Sequence, residues 1–77
     1  MKKLSIKQKQ LLECIEWFIK EYGYPPTQRE LASILKCDKN TVFNKLLILE
    51  ERGYITTVVG KPRTIKVLRG VDDIEED

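Results

Sequence analysis

The 77-residue chain reads as a three-helix winged helix-turn-helix, mostly α with one small β-hairpin. Two observations predict this. Residues 27–55, TQRELASILKCDKNTVFNKLLILEERGYI, carry two short helical patterns separated by a tight turn. Directly afterwards, TTVVGKPRTIKV reads as a strand, a basic turn and a strand. A helix pair followed by a basic hairpin makes double-stranded DNA the leading partner.

Helix 1 starts at Ser5, because Ser5 and Gln8 spell a capping box that satisfies free N–H groups of the first turn. Leu11, Leu12, Ile15, Phe18, Ile19 and Tyr22 then recur at helical spacing and form an apolar stripe. Gly23 is a natural stop, and Pro25–Pro26 forbids continuation. Thr27 caps helix 2, with Glu30 completing a second capping box. Leu31, Ile34 and Leu35 are expected on its buried face, and Ala32 is small enough to let a neighbouring helix approach. Lys36-Cys37-Asp38 forms the turn, and Lys36 is expected in a left-handed or strained conformation where glycine is common. Asp38 caps helix 3, which runs over residues 39–52 and stops at Gly53, with Val42, Leu46 and Leu49 facing inward. Residues 54–59 and 64–68, rich in β-branched side chains, frame GKPR as a hairpin with Gly60 and Pro62 at the turn.

Residues 1–70 are read as one winged domain and residues 71–77 as an acidic tail. All fourteen Lys and Arg lie in residues 1–69 against seven acids, a formal charge of +7 that DDIEED, with five negative charges, reduces to +2. The tail is expected to be solvated and disordered. The alternative is that it folds back on the basic surface and competes with DNA. Cys14 and Cys37 have no CxxC spacing, and the chain contains no histidine, which argues against a metal site. Both are read as reduced, buried, small apolar residues. An enzyme reading fails on the same grounds: no histidine, no glycine-rich phosphate loop and no carboxylate pair in a plausible cleft. No cofactor is implied. Apolar runs are too short to span a bilayer and no signal-peptide pattern precedes helix 1, so the cytoplasm is the expected location.

The second helix of a helix-turn-helix presents its N-terminal residues to base edges in the major groove. Here those are Lys39, Asn40, Thr41, Phe43 and Asn44. Lys39 can donate to phosphate or to guanine, while Asn40 and Asn44 can pair bidentately with adenine or bond to phosphate. Thr41 offers a hydroxyl and a methyl. Asn and Thr near a helix start are also favoured by capping alone. Lys61 and Arg63 at the hairpin tip, with Lys66, suit the backbone or the minor groove, although a turn tip also attracts charge for solubility. Gln28 and Arg29 are further phosphate candidates at the start of helix 2.

The stretch MKKLSIKQKQLLECIEWFIKEYGYPPTQREL resembles, without a gap, the start of the DNA-binding domain of LexA-type repressors. The matching features are Leu4, Ser5-x-x-Gln8, Ile15, Ile19, Gly23-x-Pro25-Pro26-Thr27, Glu30, a recognition helix containing Asn40, and Leu49-x-x-x-Gly53-x-Ile55. The resemblance covers about residues 1–69. It implies a three-helix winged domain with helix 3 in the major groove, acting as a transcriptional repressor, and base reading by Asn40. The turn before helix 3 is one residue shorter than in the family. Phe43 and Asn44 replace the family's acidic pair, which implies a different operator. The family's C-terminal peptidase domain has no counterpart in these residues, so neither self-cleavage nor its dimer interface is implied.

With Val42, Leu46 and Leu49 inward, Phe43 and Leu47 share one outward stripe. They can be covered by helix 1 or the wing, or mark a weak homodimer or a protein-partner site, and Phe43 can contact thymine methyls. A winged helix that binds another regulator or a polymerase subunit is therefore the alternative function.

Overall fold

The helix boundaries follow the capping residues. A computed structural model describes residues 4–58 and 60–70 and places α1 at Ile6–Tyr22, α2 at Gln28–Leu35 and α3 at Lys39–Glu51. The Ser5 hydroxyl accepts from the Gln8 N–H at 3.1 Å, and the Gln8 amide oxygen accepts from the Ser5 N–H at 2.8 Å. Thr27 and Glu30 repeat this reciprocal pair at 3.1 and 2.9 Å. Gly23, at φ 78°, ends α1 with its N–H on the Ile19 carbonyl. Lys36 is left-handed as expected, at φ 56° and ψ 45°. Around it, the Cys37 N–H returns to the Ala32 carbonyl at 3.0 Å, the closure that ends α2. α3 ends similarly, with Gly53 at φ 81° and the Tyr54 N–H on the Leu49 carbonyl.

The core lies between the three helices and the hairpin. Leu11, Leu12 and Ile15 of α1 meet Leu31 of α2 and Val42, Leu46 and Leu49 of α3, with Tyr54, Ile55 and Ile65 closing one side. Ile34 departs from expectation, being 43% exposed. With only eight residues, α2 presents one narrow face, which Leu31, Ala32 and Leu35 occupy; Ile34 falls outside that arc. Tyr22, the last member of the expected stripe, is also exposed at the end of α1, where it packs on Phe18 at 4.5 Å between ring centroids. Cys14 and Cys37 are free and half-buried rather than fully buried, and partial burial pushes the Cys14 thiol pKa up.

The hairpin is shorter than its β-branched run suggests. β1 (Ile55–Thr56) pairs antiparallel with β2 (Lys66–Val67), Ile55 facing Val67 and Thr56 facing Lys66. At the base the Leu68 N–H continues the pairing onto the Tyr54 carbonyl at 2.8 Å, whereas toward the tip side chains take the place of the ladder. The Thr57 N–H donates to Glu50 Oε2 at 3.3 Å, and the Val58 N–H donates to Thr64 Oγ1 at 3.0 Å. The Thr64 hydroxyl in turn lies 3.0 Å from the Lys61 carbonyl and closes the wing tip. Val59 and the acidic stretch 71–77, with its expected disorder, lie outside the described residues.

Lys36→Gly relieves a left-handed non-glycine residue and is expected to stabilise the fold by about 0.5–1 kcal/mol, net of glycine's greater freedom when unfolded. The readout is a higher urea midpoint at an unchanged slope. Leu49→Ala removes a fully buried side chain. It is expected to destabilise by about 2–5 kcal/mol in the same titration, a large fraction of a small domain's stability.

Candidate nucleic-acid interface

Burial of Val42, Leu46 and Leu49 turns the opposite face of α3 outward, and Asn40, Phe43, Asn44 and Leu47 share that face. Asn40 and Asn44 are exposed, one turn apart, on the open side of the helix. Lys39 and Phe43 lie nearer the wing. Together with Leu47, Glu50, Val58, Lys61 and the start of α2 they line an open cleft of about 520 Å³. Phe43 and Leu47 are 46% and 47% exposed, so the wing covers them only in part.

Thr41 has a different surrounding from its neighbours. It is half-buried, and its hydroxyl and backbone N–H both serve Asp38, the N–H at 2.7 Å. Those two hydrogen bonds, the hydroxyl's first, hold the Asp38 carboxyl below the usual aspartate range. Of the two roles open to Thr41, the geometry favours the cap.

Arg29 and Lys66 are exposed, and Gln28 is half-buried in the first turn of α2. Lys61 is exposed on the wing. Arg63 is exposed yet engaged. Its guanidinium makes a two-pronged pair with Glu30, Nη1 to Oε1 and Nη2 to Oε2, both at 2.9 Å. Nη1 also donates to the Pro25 carbonyl at 3.2 Å, and the cation stands 4.7 Å from the centroid of the Tyr24 ring. The Arg63 hydrogen bonds, followed by the Thr27 N–H, hold the Glu30 carboxyl below the usual glutamate range. Arg63 itself is raised by the same pair.

Tyr24, Glu30 and Glu50 were not among the expected site residues. Thr27-x-x-Glu30 signals a cap and is silent about the second carboxylate oxygen. Glu50 looks like surface charge until the fold brings Thr57 to it.

Among the described residues, no group of three or more His, Cys, Asp or Glu could hold a metal ion, and no helix is long and apolar enough to cross a membrane. Three capped helices, a solvent-facing second helix of the pair and a basic two-stranded wing define a winged helix-turn-helix. Residues 1–64 match the LexA DNA binding domain family, and the chain belongs to that family. It is 41% identical over 71 residues to the LexA repressor of Thermotoga neapolitana, covering 92% of this chain and 36% of the relative. The LexA repressor of Desulfitobacterium hafniense is 39% identical over 74 residues, 95% of this chain and 36% of the relative. That of Geobacillus thermodenitrificans is 42% identical over 69 residues, 88% of this chain and 33% of the relative. The chain thus spans about a third of the length of the curated relatives it matches. A DNA-binding domain of this kind is not itself catalytic.

Both depressed carboxyls contribute stability that is complete above their unfolded pKa values, near 4, and is lost as pH falls through the lower folded values. Urea midpoints are therefore expected to be flat above about pH 5 and to fall below about pH 4. Asp38→Asn keeps a cap-competent side chain and removes one of the two groups, so its acid loss should be shallower than wild type. Parallel acid titrations of the two proteins check this.

Proposed function

We propose that this chain is a sequence-specific double-stranded DNA-binding module of a transcriptional repressor, residues 1–70 acting as one unit in the cytoplasm. α3 enters the major groove and the wing lies on the backbone or in the minor groove. The observation that carries this reading is the outward face of α3, where Asn40 and Asn44 stand exposed one turn apart beside a basic wing. The 13 residues of α3 extend about 20 Å, and a major groove admits one such helix. Asn40 is assigned base reading, in keeping with the family. Asn44 and Lys39 contact bases or phosphates, Phe43 meets a thymine methyl, and Gln28, Arg29, Lys61 and Lys66 hold phosphates. Phe43 replaces an acidic residue of the family pattern, so the operator differs from the family's own. One module offers few contacts, and useful specificity calls for two copies on a two-fold site.

The half-exposed Phe43 and Leu47 beside the open cleft favour a second reading, a module that docks on another regulator, on a polymerase subunit or on a second copy of itself. Selection of bound duplexes from a randomised pool at physiological salt separates the two. An enriched motif supports sequence-specific DNA binding, and a palindrome in it supports a dimer. Absence of enrichment with only weak, salt-sensitive binding favours the protein-docking reading.

Asn40→Ala is expected to relax base preference at one position of the selected site, by about 1–3 kcal/mol of discrimination. Lys61→Ala is expected to weaken binding to every sequence alike and to reduce the slope of log affinity against log salt by about 0.9. Fluorescence anisotropy on specific and random duplexes across a salt series reads both.

A further inference from the structure

We propose that Arg63 is a positioning residue: it clamps the wing to the start of α2 through Glu30 and to the α1–α2 loop through Tyr24, and leaves the DNA contact of the wing tip to Lys61. This rests on the DNA-binding reading above. Three contacts from two parts of the chain, the α1–α2 loop and the first turn of α2, converge on one guanidinium. Both prongs reach the Glu30 carboxylate at 2.9 Å, Nη1 reaches the Pro25 carbonyl at 3.2 Å, and the plane stands 4.7 Å from the Tyr24 ring centroid. Tyr24 itself packs on Phe18 and Tyr22, so the clamp is anchored in the aromatic cluster at the end of α1.

The backbone at Arg63 agrees with a positioning role. Arg63 sits at φ 56°, a left-handed conformation disfavoured for a non-glycine residue. The contacts of its side chain and the Thr64 hydroxyl that closes the tip offset this preference. Among the described residues two ladder pairs, with the Leu68 N–H on the Tyr54 carbonyl at their base, tie the strands together, so backbone pairing alone is a weak hold on the wing tip. Lys61 sits at the tip, exposed and without a charged partner among the described contacts, and is the tip cation available to a phosphate. Glu30 therefore serves twice, as the second half of the α2 capping box and as the wing's anchor, which reconciles an acidic residue with a surface meant for DNA.

The test combines backbone amide order at Lys61 and Thr64 in the free protein with duplex affinity across a salt series, for wild type, Glu30→Gln, Arg63→Lys, Arg63→Gln and Lys61→Gln. Glu30→Gln retains a capping box, and Arg63→Lys retains the charge while losing the planar fork. Expected are lower wing order in Glu30→Gln, Arg63→Lys and Arg63→Gln, and affinity weakened by about 2- to 5-fold in each. Combining Glu30→Gln with Arg63→Lys should weaken binding no further. The salt slope should stay unchanged in the Arg63 variants and fall by about 0.9 in Lys61→Gln. Unaltered wing order in the Glu30 and Arg63 variants would overturn the clamp. Wild-type affinity in Arg63→Lys, with the slope lowered by about 0.9 in Arg63→Gln, marks a direct phosphate contact and overturns the positioning role. A wild-type protein with no salt-dependent duplex binding overturns the DNA-binding reading, and with it the positioning role, while the amide order still reports the clamp separately.

Discussion

α3 has to bury one face and present the other, and the burial of Val42, Leu46 and Leu49 against α1 and α2 decides its rotation. Once those three side chains are inside, the 100° step of the helix leaves Asn40, Phe43, Asn44 and Leu47 outside with little freedom to do otherwise. The wing depends on the same helix. Glu50 holds the Thr57 N–H, and the turn after Leu49 delivers Tyr54 and Ile55 into the core. A loss of packing under α3 would thus shift its outward side chains and the wing together.

Helices of eight and thirteen residues are marginal by themselves, and the caps compensate for their short length. Each of the three helices begins with a side chain that accepts from its first turn, and two of those caps are reciprocal boxes. Defined starts and stops leave the tight turn between α2 and α3 almost no slack. That turn is made by Lys36 in a left-handed conformation rather than by glycine, with the long side chain exposed to solvent.

The surface is basic, but its charges are not all alike. Lys39, Lys61 and Arg29 are exposed around the cleft, whereas Arg63 spends its charge on Glu30. Counting cations along the chain overstates the number available to a polyanion. Apolar Phe43 and Leu47 interrupt the same surface, a composition that suits thymine methyls or a protein neighbour better than phosphate.

Local signals in the sequence determined the three helix starts, the left-handed Lys36, the inward stripe of α3 and the existence of a hairpin. These rest on interactions within four residues or on a repeating period, both of which a linear string records. The family, too, was legible, in Gly23-x-Pro25-Pro26-Thr27 and its flanks. Tertiary structure alone decided the exposure of Ile34, the two-residue strands and the engagement of Arg63. Ile34 depends on where α1 lies relative to an eight-residue helix, and the strands are cut short by Glu50 and Thr64 taking over as acceptors. Arg63 meets Glu30 across 33 residues of chain, a distance at which no local pattern carries information. A linear sequence shows which charges exist; only the fold decides which of them are already neutralised.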